Sequence, residues 1–245
     1  MPFIPVNNPG FVILNVMKII IVLLISLSTT FSIVKAEEVW KITSLNWEPY
    51  SSARMIKQGN SIQKLRTLLK KNDITLQVEF YPWLRAQKVA KTKGYLGYFP
   101  AWPEEVKDGF IPSEEVDISN VSIMSRNINN HKYLSIKHLC ENFKIGFVRT
   151  YVYPHSLTNI MSEKSDCFVE TPLEATLLLM LSKGRFDFAI TDSVVMNFLA
   201  SQESIENIYH YKTLMNKKLV IALRDAPDNR SKIKRLANLL KSESN

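Results

Sequence analysis

The stretch "ITLQVEFYPWLRAQKVAKTKGYLGYF", residues 74–99, decides the fold class because it holds a strand, a helix and a second strand in immediate succession. Apolar and polar residues alternate over 74–81, which is the pattern of a half-buried β-strand. Pro82 then stands in the first turn of a predicted helix over 82–93. The apolar run 94–99 predicts the second strand. Two strands joined through a helix form a parallel pair, so the stretch predicts an α/β fold.

The same alternation extends in both directions along the chain. Upstream, residues 38–45 alternate as a strand, and residues 59–73 carry apolar side chains at helical spacing. Downstream, residues 114–127 are predicted to be extended, and a second β/α unit follows. Its strands are predicted at 144–148, 167–170, 185–191 and 218–225, and its helices at 171–184, 192–202 and 229–242. In the helix at 171–184, Thr171 is the predicted N-cap and Glu174 completes a capping box.

Composition and charge are those of a globular protein. Of 245 residues, 46% are hydrophobic and 22% charged, and the formal net charge is +8. Residues 1–36 contain two lysines and no acid, so the rest of the chain keeps 29 basic against 23 acidic residues, a net charge of +6. The basic residues are spread along the chain, which favours a solvated basic surface over a nucleic-acid partner.

Residues 17–36, "MKIIIVLLISLSTTFSIVKA", have the pattern of a signal peptide. Lys18 supplies the positive start, an apolar run follows, and Ala36 ends a small-residue cleavage site. The apolar run is shorter than the ~20 residues that span a bilayer. Residues 1–36 are therefore interpreted as an upstream extension and a signal peptide, with Met17 as the true start; an uncleaved anchor is the alternative.

Two cysteines are present, Cys140 and Cys167, and each lies just before an apolar strand-like run. Neighbouring parallel strands would bring both to the same end of a sheet. In the oxidising compartment that export implies, we expect a disulfide. Two buried thiols are the alternative.

Candidate binding residues follow the predicted strands, because ligands of open α/β sheets bind outside the carboxyl ends of the strands. Aromatic side chains dominate these positions, and each could instead cover a lobe core. Arg85 and Arg149 could bind an anion or form surface ion pairs, and Asp192 could contact a ligand or cap its own helix. The predicted ligand-binding residues are Trp47, Tyr50, Arg85, Tyr98, Trp102, Arg149, Thr150, Tyr151 and Asp192.

Motifs of catalysis and metal binding are absent from the sequence. There is no Gly-rich phosphate loop, no His-Glu-x-x-His and no Gly-x-Ser-x-Gly. The histidines at 131, 138, 155 and 210 are scattered. We therefore expect no metal, no cofactor and no enzymatic activity.

Five motifs together resemble the bacterial extracellular solute-binding proteins of family 3, periplasmic receptors related to polar amino-acid binding proteins. These motifs are "NWEPYSS", "FYPWLRAQKVA", "GYLGYFPAW", "KIGFVRTYVYP" and "SKGRFDFAITDSVV", and "YPWLRA" is typical of a short-chain branch. The resemblance covers about 37–245 and implies a two-lobed periplasmic binding protein type II fold. It implies lobe one over 37–122 plus 220–245, and lobe two over 127–215.

The resemblance also implies roles for individual residues. An acid matching Asp192 holds the ligand amine in amino-acid receptors of the family, and residues matching Arg149 and Thr150 hold its carboxylate, together with an arginine after the third strand. Here Glu104 and Glu105 stand where that arginine is expected. The departure leaves the ligand open.

The function that the resemblance implies is a monomeric periplasmic receptor that closes on a small polar, amino-acid-like solute and delivers it to an ABC importer. One alternative is a sensory receptor for a membrane signalling partner. Another is a dehydratase or lyase on the same scaffold, with Asp192 or Glu48 as its base.

Overall fold

The computed structural model describes residues 37–127 and 135–243. The strands in these ranges are β1 (Glu38–Ser44), β2 (Ile74–Phe80), β3 (Tyr95–Ala101), β4 (Phe110–Pro112), β5 (Asp117–Ser125), β6 (Ile145–Val148), β7 (Phe168–Thr171), β8 (Phe188–Asp192) and β9 (Tyr209–Arg224). The helices are α1 (Asn60–Lys70), α2 (Trp83–Ala90), α3 (Ile136–Asn142), α4 (His155–Glu163), α5 (Glu174–Ser182), α6 (Ser193–Gln202) and α7 (Arg230–Glu243). The predicted signal peptide and His131 lie outside the described residues.

The strands follow the order β2-β1-β3-β9-β5-β8-β6-β7, with β4 also paired to β9. Strand β1 pairs in parallel with β2 and β3, and these three are called the first strand group. Strand β6 pairs in parallel with β7 and β8, the second strand group. Antiparallel β5 and β9 join the two groups. The predicted α/β class is therefore correct, with two parallel groups as the tandem units indicated.

Strand β9 is longer than the sequence predicted. Its carboxyl half was expected at 218–225, where most side chains are apolar, and the residues from Val220 pair with β3. Its amino half, from Tyr209, pairs with β5 and is partly exposed. Tyr211, Leu214 and Met215 pack against the core there, but register shifts at Tyr211 and Leu214 interrupt the alternation, so the residue pattern did not reveal a strand.

The capping prediction for α5 is wrong. Thr171 is the last residue of β7, and its hydroxyl donates to the Phe147 carbonyl at 3.1 Å. The helix begins at Glu174 and its N-cap residue, Leu173, makes no side-chain capping bond. Pairing of β7 with β6 extends through Thr171, which therefore belongs to the sheet.

The structure joins Cys140 and Cys167 in a disulfide, as expected. Cys140 lies in α3, immediately before β6, and Cys167 lies immediately before the adjacent parallel strand β7. Helices α3 and α4 were not predicted, because the segments that form them are short and largely polar. Ser135 caps α3 by accepting a hydrogen bond from the His138 amide.

Close packing holds β3 against β9. A Cβ atom on Gly97 would collide with the Ala222 carbonyl, so only glycine fits at this crossing. The largest fully buried side chains of the core are Trp40, Tyr98, Phe99, Phe186 and Phe188. Across 37–127 and 135–243, none of the helices combines the length and apolarity needed to cross a membrane.

Candidate functional site

Side chains that follow the carboxyl ends of the parallel strands meet between the two strand groups. Trp47 and Tyr50 come after β1, and Trp102 follows β3. Tyr151 follows β6, and Asp192 ends β8. The structure thus brings together five of the nine predicted binding residues, at the edge where ligands of α/β sheets bind.

Four of these side chains form what we call the aromatic cluster, namely Trp47, Tyr50, Trp102 and Tyr151. The ring centroids of Trp47 and Tyr50 are 4.7 Å apart, and those of Trp102 and Tyr151 are 4.8 Å apart. Trp47 also meets both Trp102 and Tyr151 edge-on at 6.2 Å. These are favourable aromatic geometries, and they link the first strand group to the second.

A tight loop after β1 positions Trp47 and Tyr50. The amides of Tyr50 and Ser51 both donate to the Trp47 carbonyl, at 3.0 and 3.1 Å, and the Trp47 amide donates to the Ser51 carbonyl. Gly59, with a φ of 104°, approaches the Tyr50 backbone so closely that a Cβ atom would collide with its carbonyl. Backbone contacts therefore fix the loop, and its two aromatic side chains contact the second strand group.

Asp192 is completely buried and accepts five hydrogen bonds. Its Oδ1 accepts from the amides of Val194 and Val195, at 2.8 and 2.9 Å, and so caps α6. Its Oδ2 accepts from the Tyr50 hydroxyl at 3.0 Å, and also from Ser119 and Asn120. Every one of these donors is neutral.

Burial raises the pKa of Asp192 above its ordinary value, and the hydrogen bonds from Ser119, Val195 and Tyr50 oppose that rise. The pKa of the Tyr50 hydroxyl is raised by its own burial and by the negative charge of Asp192. Tyr50 therefore stays protonated and acts as a hydrogen-bond donor to the carboxylate.

Glu174 is a second acid in contact with the aromatic cluster, and it was not among the predicted binding residues. Its Oε1 accepts from Trp47 Nε1 at 2.9 Å, and the same indole nitrogen lies 3.3 Å from the Tyr151 hydroxyl. Its position in the first turn of the helix that follows β7 could have identified Glu174 as a site residue. It was instead interpreted as part of a capping box, so its contact with Trp47 was not predicted.

Lys217 was also missed. It is only 6% exposed, and its Nζ lies 4.1 Å from the centroid of the Trp102 ring. The ammonium donates to the Val152 carbonyl at 2.8 Å and forms an ion pair with Glu104 at 3.3 Å. Lys217 lies on β9 directly before the predicted strand at 218–225, and no sequence signal placed it beside Trp102.

Trp102 is held at its backbone and has an unpartnered side-chain donor. Its amide donates to Glu105 Oε2 at 2.9 Å. Its indole Nε1 is buried and has no hydrogen-bond partner within the part of the chain that the structure describes. Buried donors without a partner are rare in proteins, and each calls for an explanation.

Four predicted binding residues lie elsewhere. Arg149 is 61% exposed and forms an ion pair with Glu170 at 3.6 Å, and Thr150 beside it is exposed. The exposed Arg85 stacks over the Tyr81 ring at 5.3 Å. Tyr98 is fully buried, and its ring contacts Trp83 and Phe110. Among the described residues, no group of three or more potential metal-binding side chains comes together.

Comparison with known proteins identifies the fold. No protein-family model matches this sequence, and no curated protein matches it. A histidine kinase sensor domain with similarity to periplasmic binding proteins has a TM-score of 0.66 and 14% identity, covering 85% of this chain and 91% of that one. An arginine transport periplasmic binding protein from Legionella pneumophila has a TM-score of 0.60 and 16% identity, covering 84% and 94%.

An ancestral amino-acid-binding protein, a precursor of cyclohexadienyl dehydratase, has a TM-score of 0.61 and 15% identity, covering 84% of this chain and 89% of that one. These similarities extend over most of each chain. The chain therefore has the two-lobed type II fold of periplasmic binding proteins, as the sequence predicted.

Proposed function

We propose that this chain is a periplasmic solute-binding receptor, exported through a cleaved signal peptide, that closes on a small polar solute. Lobe one would comprise 37–122 plus 220–245, and lobe two 127–215. One observation carries the proposal: binding-type side chains from both strand groups meet at the carboxyl ends of the strands, where Tyr50 bonds Asp192 and Trp47 bonds Glu174. Hinged closure on a solute brings such groups together.

The geometry around Asp192 supports binding over catalysis. A general base needs an oxygen that can reach the proton of a substrate. Both oxygens of Asp192 already accept hydrogen bonds, including two that cap α6. The other acid suggested as a base, Glu48, accepts a hydrogen bond from Ser52 at 2.6 Å within its own loop. A receptor without chemistry fits these contacts better than a dehydratase or a lyase.

Delivery of the solute to an ABC importer is the leading form of the proposal. Similarity to a histidine kinase sensor domain favours a second form, in which the closed receptor signals to a membrane partner. The two forms share the binding step and differ only in the partner that recognises closure.

Tryptophan fluorescence tests the shared step. The full chain, expressed with its own N-terminal segment and purified after export, would be titrated with a panel of amino acids, amines, sugars and organic acids. We expect one class to give a saturable emission change together with a higher Tm, because Trp47 and Trp102 lie in the aromatic cluster.

Two matched variants show which tryptophan produces the emission change. Trp47→Phe should remove most of the emission change. Trp83→Phe should keep it, because Trp83 packs on Tyr98 outside the aromatic cluster. If no solute in the panel changes either the emission or the Tm, the receptor proposal is wrong.

A further inference from the structure

We infer that the solute is a small organic cation that carries a neutral hydrogen-bond acceptor and lacks a free carboxylate. The inference rests on the proposed function, because it names the chemical class that the cleft between the strand groups would recognise. Three features of the aromatic cluster and its surroundings support it: the charge of the acids, the aromatic faces and the unpartnered indole of Trp102.

The charge next to the aromatic cluster is negative. Asp192 and Glu174 both contact cluster side chains, and neither belongs to any ion pair formed between the residues that the structure describes. Asp192 accepts hydrogen bonds from five neutral donors, and Glu174 accepts one from the neutral Trp47 indole. Asp192 therefore contributes negative charge to the site, and an ammonium or guanidinium group would give the Glu174 carboxylate stronger, charge-assisted hydrogen bonds.

The basic residues nearest the site are already engaged. Lys217 bonds the Val152 carbonyl and pairs with Glu104. Arg149 turns outward to Glu170. A solute carboxylate would therefore enter beside two carboxylates without a free cationic partner among these residues, and burying such a charge is costly.

The aromatic faces suit a cation. Lys217 Nζ lies 4.1 Å from the Trp102 ring centroid, so the edge of the aromatic cluster already accommodates one ammonium group. Trp47 and Tyr151 present further rings beside Glu174. Tryptophan and tyrosine faces attract cations through their quadrupoles, most strongly where water is excluded.

The unpartnered indole of Trp102 indicates that the solute carries a neutral hydrogen-bond acceptor. Its Nε1 is a buried donor without a partner in the described residues, so an acceptor on the solute would satisfy it. A hydroxyl, an ether or an amide carbonyl would satisfy this donor without adding a further anion to a site that already holds two carboxylates. Amino-acid amides and amino alcohols combine such an acceptor with an ammonium group.

The test compares amino acids with partners in which the carboxylate is removed or replaced by a neutral amide. Calorimetric titration of the full exported chain would use three pairs: arginine with agmatine, lysine with cadaverine, and alanine with alaninamide. We expect the member without the carboxylate to bind more tightly in each pair, by about tenfold or more. Tighter binding of the amino-acid member throughout would overturn the inference and leave the proposed receptor function intact.

Two variants test the assigned groups. Glu174→Gln keeps the shape and removes the charge, so it should weaken binding of the cations by about tenfold or more. Its matched control is Glu170→Gln, because Glu170 pairs with Arg149 away from the aromatic cluster. Equal affinity in Glu174→Gln and the wild type would contradict the assignment of a cation.

Trp102→Phe keeps a ring and removes the unpartnered donor. It should weaken binding of alaninamide more than binding of cadaverine, which has no acceptor. Equal losses for both solutes would overturn the acceptor half of the inference. If none of the six solutes and no member of the wider panel binds, both the inference and the receptor proposal fail.

Discussion

Asp192 caps its own helix, which is one of the two roles predicted for it, and it also forms a hydrogen bond to the first strand group. One carboxylate oxygen caps α6, and the other accepts the hydroxyl of Tyr50 from the first strand group. A residue that ends a strand and begins a helix can do both, because its backbone turns where the strand stops. The same carboxylate therefore fixes the helix and binds the facing strand group.

Glu105 should make the free energy of unfolding depend on pH. Its carboxylate accepts the Trp102 amide, and burial raises its pKa to about 7, although that hydrogen bond and Lys217 oppose the rise. The folded pKa lies above the ordinary 4.5, so the folded protein binds more protons than the unfolded chain between these values. The free energy of unfolding should therefore fall as pH rises from about 4.5 to 7.

We predict that Glu105→Gln removes this fall, because glutamine can accept the same amide and carries no charge. At pH 8 the variant should be more stable than the wild type by roughly 3 kcal/mol, because the pKa of about 7 exceeds 4.5 by about 2.5 and each pKa unit corresponds to 1.36 kcal/mol. Urea unfolding at several pH values would measure it. An unchanged slope in Glu105→Gln would contradict the prediction.

At the scale of elements, antiparallel β5 and β9 determine how the two strand groups meet. Residues of β9 from Tyr209 to Leu219 pair with β5, and those from Val220 pair with β3. Every described backbone connection within this sheet between the first and second groups therefore runs through these two strands. Lys217 lies on β9 close to the change of partner, which explains its contact with Trp102 after β3.

The disulfide supports the second strand group. It joins α3 to the residue before β7 and closes a loop of 27 residues. We expect Cys140→Ser/Cys167→Ser to lower the free energy of unfolding by about 3–4 kcal/mol, because the unfolded chain regains loop entropy. Urea unfolding with and without dithiothreitol is the measurement. The reductant should destabilise the wild type and leave the variant unchanged; equal stability of reduced and oxidised wild type would refute the prediction.

At the scale of the molecule, hydrogen bonds between side chains hold the strand groups together at the site. Tyr50 bonds Asp192, and Trp47 bonds Glu174. Both donors belong to the loop after β1, and both acceptors lie at the ends of strands in the second group or in the helices that follow them. Closure and solute recognition would then both involve the Glu174 carboxylate.

We predict that Trp47→Phe/Tyr50→Phe opens the molecule, because both rings remain while both donors to the second strand group are lost. Small-angle X-ray scattering should give a larger radius of gyration than for the wild type. The matched control is Tyr81→Phe/Trp83→Phe, because Tyr81 bonds Glu79 and Trp83 packs on Tyr98, all in the first strand group or next to it. An unchanged radius in the first variant would show that these bonds do not hold the groups together.

Residue patterns and chain order are enough to predict the α/β class, the two tandem units and the positions of most strands. They also predict the loops that supply Trp47, Tyr50, Trp102, Tyr151 and Asp192. These features are local, because strand alternation and helical spacing are visible over a few residues. The carboxyl ends of parallel strands lie at the same edge of the sheet, so the order of the strands along the chain predicts which loops lie close together. The disulfide also followed from chain order, since its cysteines precede neighbouring parallel strands.

Which side chains share the site depends on tertiary packing. Glu174 and Lys217 join it, while Arg149 turns outward to Glu170 and Tyr98 is buried in another cluster. The direction of a side chain depends on partners distant in sequence, and these contacts join residues as far apart as Trp47 and Glu174. The amino half of β9 is likewise specified by its neighbours, because pairing with β5 satisfies its backbone where register shifts interrupt the alternation of its side chains.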